Sequence, residues 1–189
     1  MTQDLKIAVL VGSLRRASIT RRLARAAIKL SKGGFAYEIV EIGAMPLYDQ
    51  DLEDAGPPPA WREFRDAIRG IDGVLFVTPE YNRSVPAALK NALDVGSRAH
   101  GKSIWYGKPA AIISVSPGAL GGFGANHHLR QSLVFLNMPA MAQPEAYVGH
   151  AANLVADDFS IPVDGSRNFL AGFIAAYEAW VKVLVPAKA

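Results

Sequence analysis

The chain has 189 residues, half of them apolar and a fifth charged, with a formal net charge of +3 and no cysteine. That length suits one domain with a large core, and the missing cysteines remove disulfides, thiolate metal sites and thiol nucleophiles together. No stretch nears the roughly 18 unbroken apolar residues of a membrane span, and Met1-Thr2-Gln3-Asp4 leads directly into a strand pattern, so no membrane segment or cleaved leader is expected and the cytoplasm is the expected compartment.

Leu5–Val11 is a nearly continuous apolar run and predicts a central parallel strand covered on both faces. It ends in Gly12-Ser13-Leu14-Arg15-Arg16-Ala17-Ser18-Ile19-Thr20. Beyond that loop Ile19, Leu23, Ala26, Ala27 and Leu30 recur at helical spacing, with Ser18 or Thr20 at the cap position. Arg15, Arg16, Arg21, Arg22 and Arg25 crowd this stretch. No aromatic residues interleave with them, so a solvated helix face with one or two anion ligands is a better reading than a nucleic-acid surface.

Ala36–Ile42 predicts the second strand. Met45–Pro59 follows as a long connection containing Pro46, Gly56, Pro57, Pro58 and Pro59, which suits a functional loop or a subunit contact. Trp61, Phe64 and Ile68 mark the next helix. Gly73–Thr78 is the third strand, a fully apolar run up to its last residue. A helix carrying Val85, Ala88, Leu89, Ala92 and Leu93 comes after it, with Ser84 as candidate cap and Pro86 in its first turn. Pro109–Val115 is the fourth strand and Leu129, Leu133 and Leu136 form the next helical stripe. A weaker strand is expected near Pro139–Val148, and Phe169, Phe173, Tyr177, Trp180 and Leu184 mark the last helix.

Five strand–helix alternations without a linker or repeat predict one α/β domain over residues 1–189: a doubly wound five-stranded parallel sheet, order 2-1-3-4-5, with helices on both faces. That order brings together the loops at the carboxyl ends of strands 1, 3 and 4. Those are the loops rich in Gly, Ser, Pro and Asn: Gly12–Thr20, Pro79–Ser84 and Ser116–Gly122. The first has the chemistry of a phosphate site. Gly12 permits a tight turn, Ser13, Ser18 and Thr20 offer hydroxyls, Arg15 offers a forked permanent cation, and the helix start adds free N–H groups. The second sets a polar turn and a helix start beside the sheet, a seat for the electron-rich edge of a ligand.

Other motifs fail on context. Gly96-Ser97-Arg98-Ala99-His100-Gly101-Lys102-Ser103 matches the phosphate-loop pattern G-x-x-x-x-G-K-S, but it follows a helix and leads towards a strand, the reverse of what that loop requires. Leu14 and Ala17 break any G-x-G-x-x-G in the first loop, so Glu41 after strand 2 is read as a solvated strand-end residue. His127 and His128 would point about 100° apart on a helix and are read as a surface pair, with no metal site expected. No G-x-S-x-G elbow occurs. A phosphoacceptor domain would need acids where this chain has Gly12-Ser13 and Thr78-Pro79.

Gly12-Ser13-Leu14-Arg15-Arg16-Ala17-Ser18, Thr78-Pro79-Glu80-Tyr81-Asn82 through Lys90-Asn91-Ala92-Leu93-Asp94, and Leu129-Arg130-Gln131 together resemble the NAD(P)H-dependent FMN reductase family, chromate and quinone reductases among it. The resemblance covers nearly the whole chain. It implies a flavodoxin-like fold, bound FMN, NADPH or NADH as reductant, a small acceptor such as a quinone, chromate, azo compound or free flavin, and a homodimer or homotetramer. By position it puts the FMN phosphate on Ser13, Arg15, Ser18 and Thr20, the ring against Pro79, Glu80, Tyr81, Asn82 and Arg83, and Ser116 on the other side. No side chain is required as acid or base. Thr20 stands where the family usually has Asn, and Gly124 where relatives often carry an Arg that serves an inter-subunit contact. The competing reading is a flavodoxin-type electron carrier without NAD(P)H turnover. Such carriers are typically acidic and hold the flavin between aromatic rings, whereas this chain is basic and offers only Tyr81.

Overall fold

The computed structural model describes residues 4–98 and 101–185. Strands β1 (Leu5–Val11), β2 (Phe35–Val40), β3 (Gly73–Pro79), β4 (Ala110–Val115) and β5 (Ala146–Val148) alternate with helices α1 (Ile19–Ile28), α2 (Gln50–Asp54), α3 (Pro59–Arg69), α4 (Ala87–Gly96), α5 (Phe123–Phe135) and α6 (Asp164–Leu184). Every strand pair is parallel and the order is β2-β1-β3-β4-β5, as the alternation predicts.

The period-2 geometry of a strand sends successive side chains to opposite faces. Ile7, Val9 and Val11 of β1, with Leu75 and Val77 of β3 and Ile113 of β4, pack under α1 and α6. Ala8, Leu10, Val74, Phe76 and Ile112 pack on the other face under α3, α4 and α5. The chain therefore winds outward from β1 in two directions. The register Val11↔Val77 and Pro79↔Val115 brings three carboxyl-terminal loops to one edge.

Four expectations need correction. The fifth strand is only Ala146–Val148, with Ala140 making a single bridge to Ala110. Pro139 and Pro144 have no N–H to give a ladder, which breaks the expected longer strand. The buried stripe of α6 is Leu170, Phe173, Ile174, Tyr177 and Val181, so Phe169 and Leu184 lie at its exposed margins. Helix α4 begins at Ala87 after Pro86, with no side-chain cap, and Ser84 lies three residues earlier in a turn. The Met45–Pro59 connection contains α2, capped by Asp49. This connection is pinned: the Pro46 carbonyl accepts from Trp61 Nε1 at 3.0 Å and Asn91 Nδ2 at 2.9 Å, and Asn91 Oδ1 accepts from the Tyr48 N–H at 2.8 Å. Arg65 grips Glu53 with two nitrogens at 3.0 and 2.6 Å, both side chains nearly buried, while its Nε donates to the Val95 carbonyl.

The arginine cluster disperses. Arg21 pairs with Glu41 through two bonds at 2.6 and 2.7 Å, Arg22 reaches the Val155 carbonyl and Asp157, and Arg25 lies over the Phe159 ring. Glu41 is thus paired rather than merely solvated. The phosphate-loop look-alike is partly outside the described residues; its Gly96 ends α4, where a Cβ would strike the Trp105 indole at 2.4 Å.

Two outcomes follow from these contacts. The Tyr177 hydroxyl is fully buried with no hydrogen-bond partner among the described residues, and it lies 2.8 Å from where a Gly73 Cβ would be. An unpaired buried hydroxyl costs about 1–3 kcal/mol, so Tyr177→Phe will raise the unfolding free energy by roughly 1 kcal/mol in a urea titration; a loss of stability would contradict this. The Arg21 hydrogen bond, opposed by burial, holds the Glu41 carboxyl below its ordinary range. The pair's contribution is complete above the ordinary glutamate value of about 4.3 and is lost as pH falls through the lowered one. Glu41→Gln will therefore cost up to ~1 kcal/mol near neutrality, as exposed pairs do, and the two proteins will converge in acid when melts are compared across pH.

Candidate active site

The three convergent loops enclose a cleft of about 290 Å³. Ser13, Arg15, Ser18 and Thr20 line one end, Pro79, Glu80 and Tyr81 the other, and Ser116 the facing wall. Eight of the ten residues singled out in the sequence thus meet in one concavity. Asn82 and Arg83 do not line it; they form the exposed tip of the adjoining turn. Ile19, Val115 and Pro117 complete the lining; Ile19 and Pro117 lie in two of the loops singled out in the sequence, and Val115 ends the fourth strand.

Gly12 makes the convergence possible. Its N–H donates to the Val77 carbonyl at 2.9 Å, and a Cβ there would lie 2.8 Å from Thr78 Oγ1. Any side chain would push β1's loop away from the end of β3. Ser13, Ser18 and Thr20 are only 4%, 2% and 3% exposed, so their hydroxyls have little water to satisfy them. Ser18 caps α1, its oxygen accepting from the Arg21 N–H at 3.0 Å. A hydroxyl that accepts there still has a proton to donate, so capping and anion binding are compatible. The first turn of α1 holds no acidic residue, leaving the positive end of its dipole uncancelled. Arg15 is exposed at the rim and makes no hydrogen bond or ion pair with another described residue.

At the opposite end the chain leaves β3 into a two-residue hairpin. Tyr81 and Ser84 exchange N–H···O bonds, both at 3.0 Å, and Asn82 and Arg83 both have positive φ, 50° and 64°. Two left-handed residues in succession define a type I′ turn. Asn adopts that region readily, but Arg pays for it. Tyr81 lines the cleft and is 47% exposed. The Glu80 carboxylate turns away and accepts from the Ala125 N–H at 3.1 Å, at the start of α5. Ser116 donates to the Gly118 carbonyl at 2.9 Å, shaping its own loop. Arg15 and Tyr81 also border a second, mostly apolar concavity of about 420 Å³ with Leu14, Pro86, Ala87 and Ala88.

The two histidines separate as their spacing predicts. His127 packs against Phe123 and Tyr147, and His128 bonds Ser84. No group of three potential metal ligands occurs among the described residues.

Residues 5–153 match the model of the NADPH-dependent FMN reductase family. A quinone reductase of Pseudomonas putida is 57% identical over 97% of this chain and 98% of its own length. A 2-hydroxy-1,4-benzoquinone reductase of a Burkholderia species is 46% identical over 94% and 97%. The solved structure of FerB, a flavoenzyme NAD(P)H:(acceptor) oxidoreductase from Paracoccus denitrificans, superposes with a TM-score of 0.91 at 38% identity, covering 96% of this chain and 99% of that one. The flavodoxin-like architecture and the motif-bearing loops thus lead to one assignment: the chain belongs to the NADPH-dependent FMN reductase family and is an FMN-dependent oxidoreductase supplied by NAD(P)H.

Proposed function

We propose that the 290 Å³ cleft is the FMN site and that the enzyme passes electrons to a quinone-type acceptor. The observation that carries this reading is the donor set at one end of the cleft: three nearly buried hydroxyls, a fixed cation and an uncancelled helix start. That set suits a phosphate dianion. Ser13, Ser18 and Thr20 would donate to its oxygens and Arg15 would close over it from the rim. Thr20 supplies a nearly buried donor hydroxyl there. Pro79, Glu80, Tyr81, Asn82 and Arg83 would support the ring, with Ser116 and its loop opposite.

FMN, when bound, supplies the chemistry of accepting two electrons from a nicotinamide and yielding them to an acceptor. The protein's part is placement, exclusion of water from the ring face and a positive environment. Hydroxyl, guanidinium and backbone groups can do this without a proton-transfer residue, so no catalytic acid or base is assigned. The apolar concavity beside Tyr81 offers a wall against which a flat acceptor can lie. Quinone is favoured over chromate or azo compounds because relatives at 57% and 46% identity are named for quinone substrates. Those relatives also weigh against the electron-carrier reading.

The same proposal includes a cytoplasmic homodimer or homotetramer. Phe135, Val134, Tyr106 and Leu47 are among its most exposed apolar side chains, Phe135 at 90%, and such surface is commonly covered by a second copy.

The deciding experiment mixes purified protein, FMN and NADPH without oxygen. The yellow absorbance will bleach and return on addition of a benzoquinone; a colour that persists defeats the reading. Arg15→Ala will weaken FMN binding about ten- to a hundredfold, the worth of one charge-assisted contact. Its affinity for riboflavin, which lacks the phosphate, will stay within about twofold of the unaltered chain. An equal loss for both flavins would move Arg15 away from the phosphate.

A further inference from the structure

We infer that α5 sets the geometry of the Tyr81–Ser84 turn, and that His128 and Gly124 are positioning residues for the flavin ring although neither lines the cleft. The inference rests on the assignment of the ring to that turn. Arg83 at φ 64° holds a left-handed backbone that a non-glycine residue adopts only at a cost, and such conformations persist only where their surroundings over-determine them. Beside the paired Tyr81–Ser84 backbone bonds, the surroundings here include one helix, α5.

Three contacts from α5 reach the turn. Glu80, on its entry side, accepts from the Ala125 N–H at 3.1 Å. Ser84, on its exit side, shares a 2.9 Å hydrogen bond between Oγ and His128 Nδ1. Between them Gly124 lies against the tip: a Cβ there would be 2.8 Å from the Arg83 carbonyl oxygen and 3.0 Å from Glu80 Oε2. In this chain the missing side chain at 124 leaves room for the close approach of helix and turn. Gly124 and His128 are four residues apart and so share one face of α5.

The helix is itself fixed from the other side. Fully buried Asn126 donates to Ser114 Oγ at 3.2 Å and accepts from Arg130 Nε at 3.0 Å, while Arg130 donates to the Met141 carbonyl at 2.9 Å. A rigid chain of contacts therefore runs from β4 through α5 to the shelf beneath the ring. Ser84 matters to that chain as the last residue of the turn and not as a helix cap.

The test measures flavin binding and the visible spectrum of bound flavin in the full chain. Ser84→Ala and His128→Leu will each weaken FMN binding about three- to tenfold, as loss of one hydrogen bond does. Both will alter the spectrum, and the double variant will be no worse than either single one. The same loss will appear with riboflavin, in contrast to Arg15→Ala. His128→Asn, whose amide occupies the place of Nδ1, will restore affinity and spectrum. Gly124→Ala will reproduce the spectral change by pushing the Arg83 carbonyl outward. Thermal melts accompany each variant, and Ser84→Ala alone suffices should His128→Leu fold poorly.

If the unaltered chain binds FMN while Ser84→Ala keeps its affinity and spectrum, the positioning role is wrong and the FMN site stands. Additive losses, or no rescue by His128→Asn, also overturn it. If the unaltered chain takes up no FMN, the site assignment falls, and this inference falls with it.

Discussion

The site depends on how closely two neighbouring strands approach where they end. β1 and β3 run side by side, but their following helices cover opposite faces of the sheet. The chain must therefore diverge just past Val11 and Val77, and the divergence opens a crevice. Gly12 keeps that crevice narrow. Its N–H still pairs with Val77, and its missing Cβ lets Thr78 and Pro79 lie against the backbone. One end of the crevice collects hydroxyls and positive charge and the other collects a flat polar turn. A larger residue at position 12 would push the two ends apart.

Local sequence specified most of this arrangement. The apolar runs of β1, β3 and β4 are unambiguous because strands covered on both faces tolerate few polar residues. The strand order then followed, and with it the meeting of Ser13, Arg15, Ser18, Thr20, Pro79, Glu80, Tyr81 and Ser116. The Pro139–Val148 region was less legible, since β-branched and aromatic residues there do not reveal which backbone groups find a partner. The shape of the second loop was also hidden. Ser84 before Pro86 looks like a helix cap, yet the pair of bonds between Tyr81 and Ser84 claims it for a hairpin. Asn82 suits the first position of a type I′ turn, but Arg83 stands where a glycine usually announces one.

The remaining details were illegible because they join residues distant in sequence. Asn91 bonds both the Tyr48 N–H and the Pro46 carbonyl, more than forty positions away. Arg65 meets Glu53 and Val95 at once. Each is a single polar residue inside an apolar stripe, and its partner is decided only by how three elements stack. Such satisfied buried groups stabilise little over an apolar substitute but penalise any other arrangement of α2, α3 and α4. The long connection can then carry four prolines and still hold one path.

Charge illustrates the same division between composition and structure. The net charge and the run of five arginines imply a basic surface, but three of those arginines are committed within the fold, to Glu41, to the Val155–Asp157 segment and to the Phe159 ring. The committed ones tie α1 to the end of β2 and to the segment before α6. Arg15 and Arg16, ahead of the helix, remain. The positive groups at the cleft are therefore local: Arg15 in its lining and the start of α1, whose first turn holds no acidic residue. A phosphate group is bound by charges within a few ångströms, because more distant ones are screened at ordinary ionic strength. On the proposed assignment, the net charge of +3 could change sign by surface substitution elsewhere without altering the hold of Ser13 and Thr20 on a phosphate.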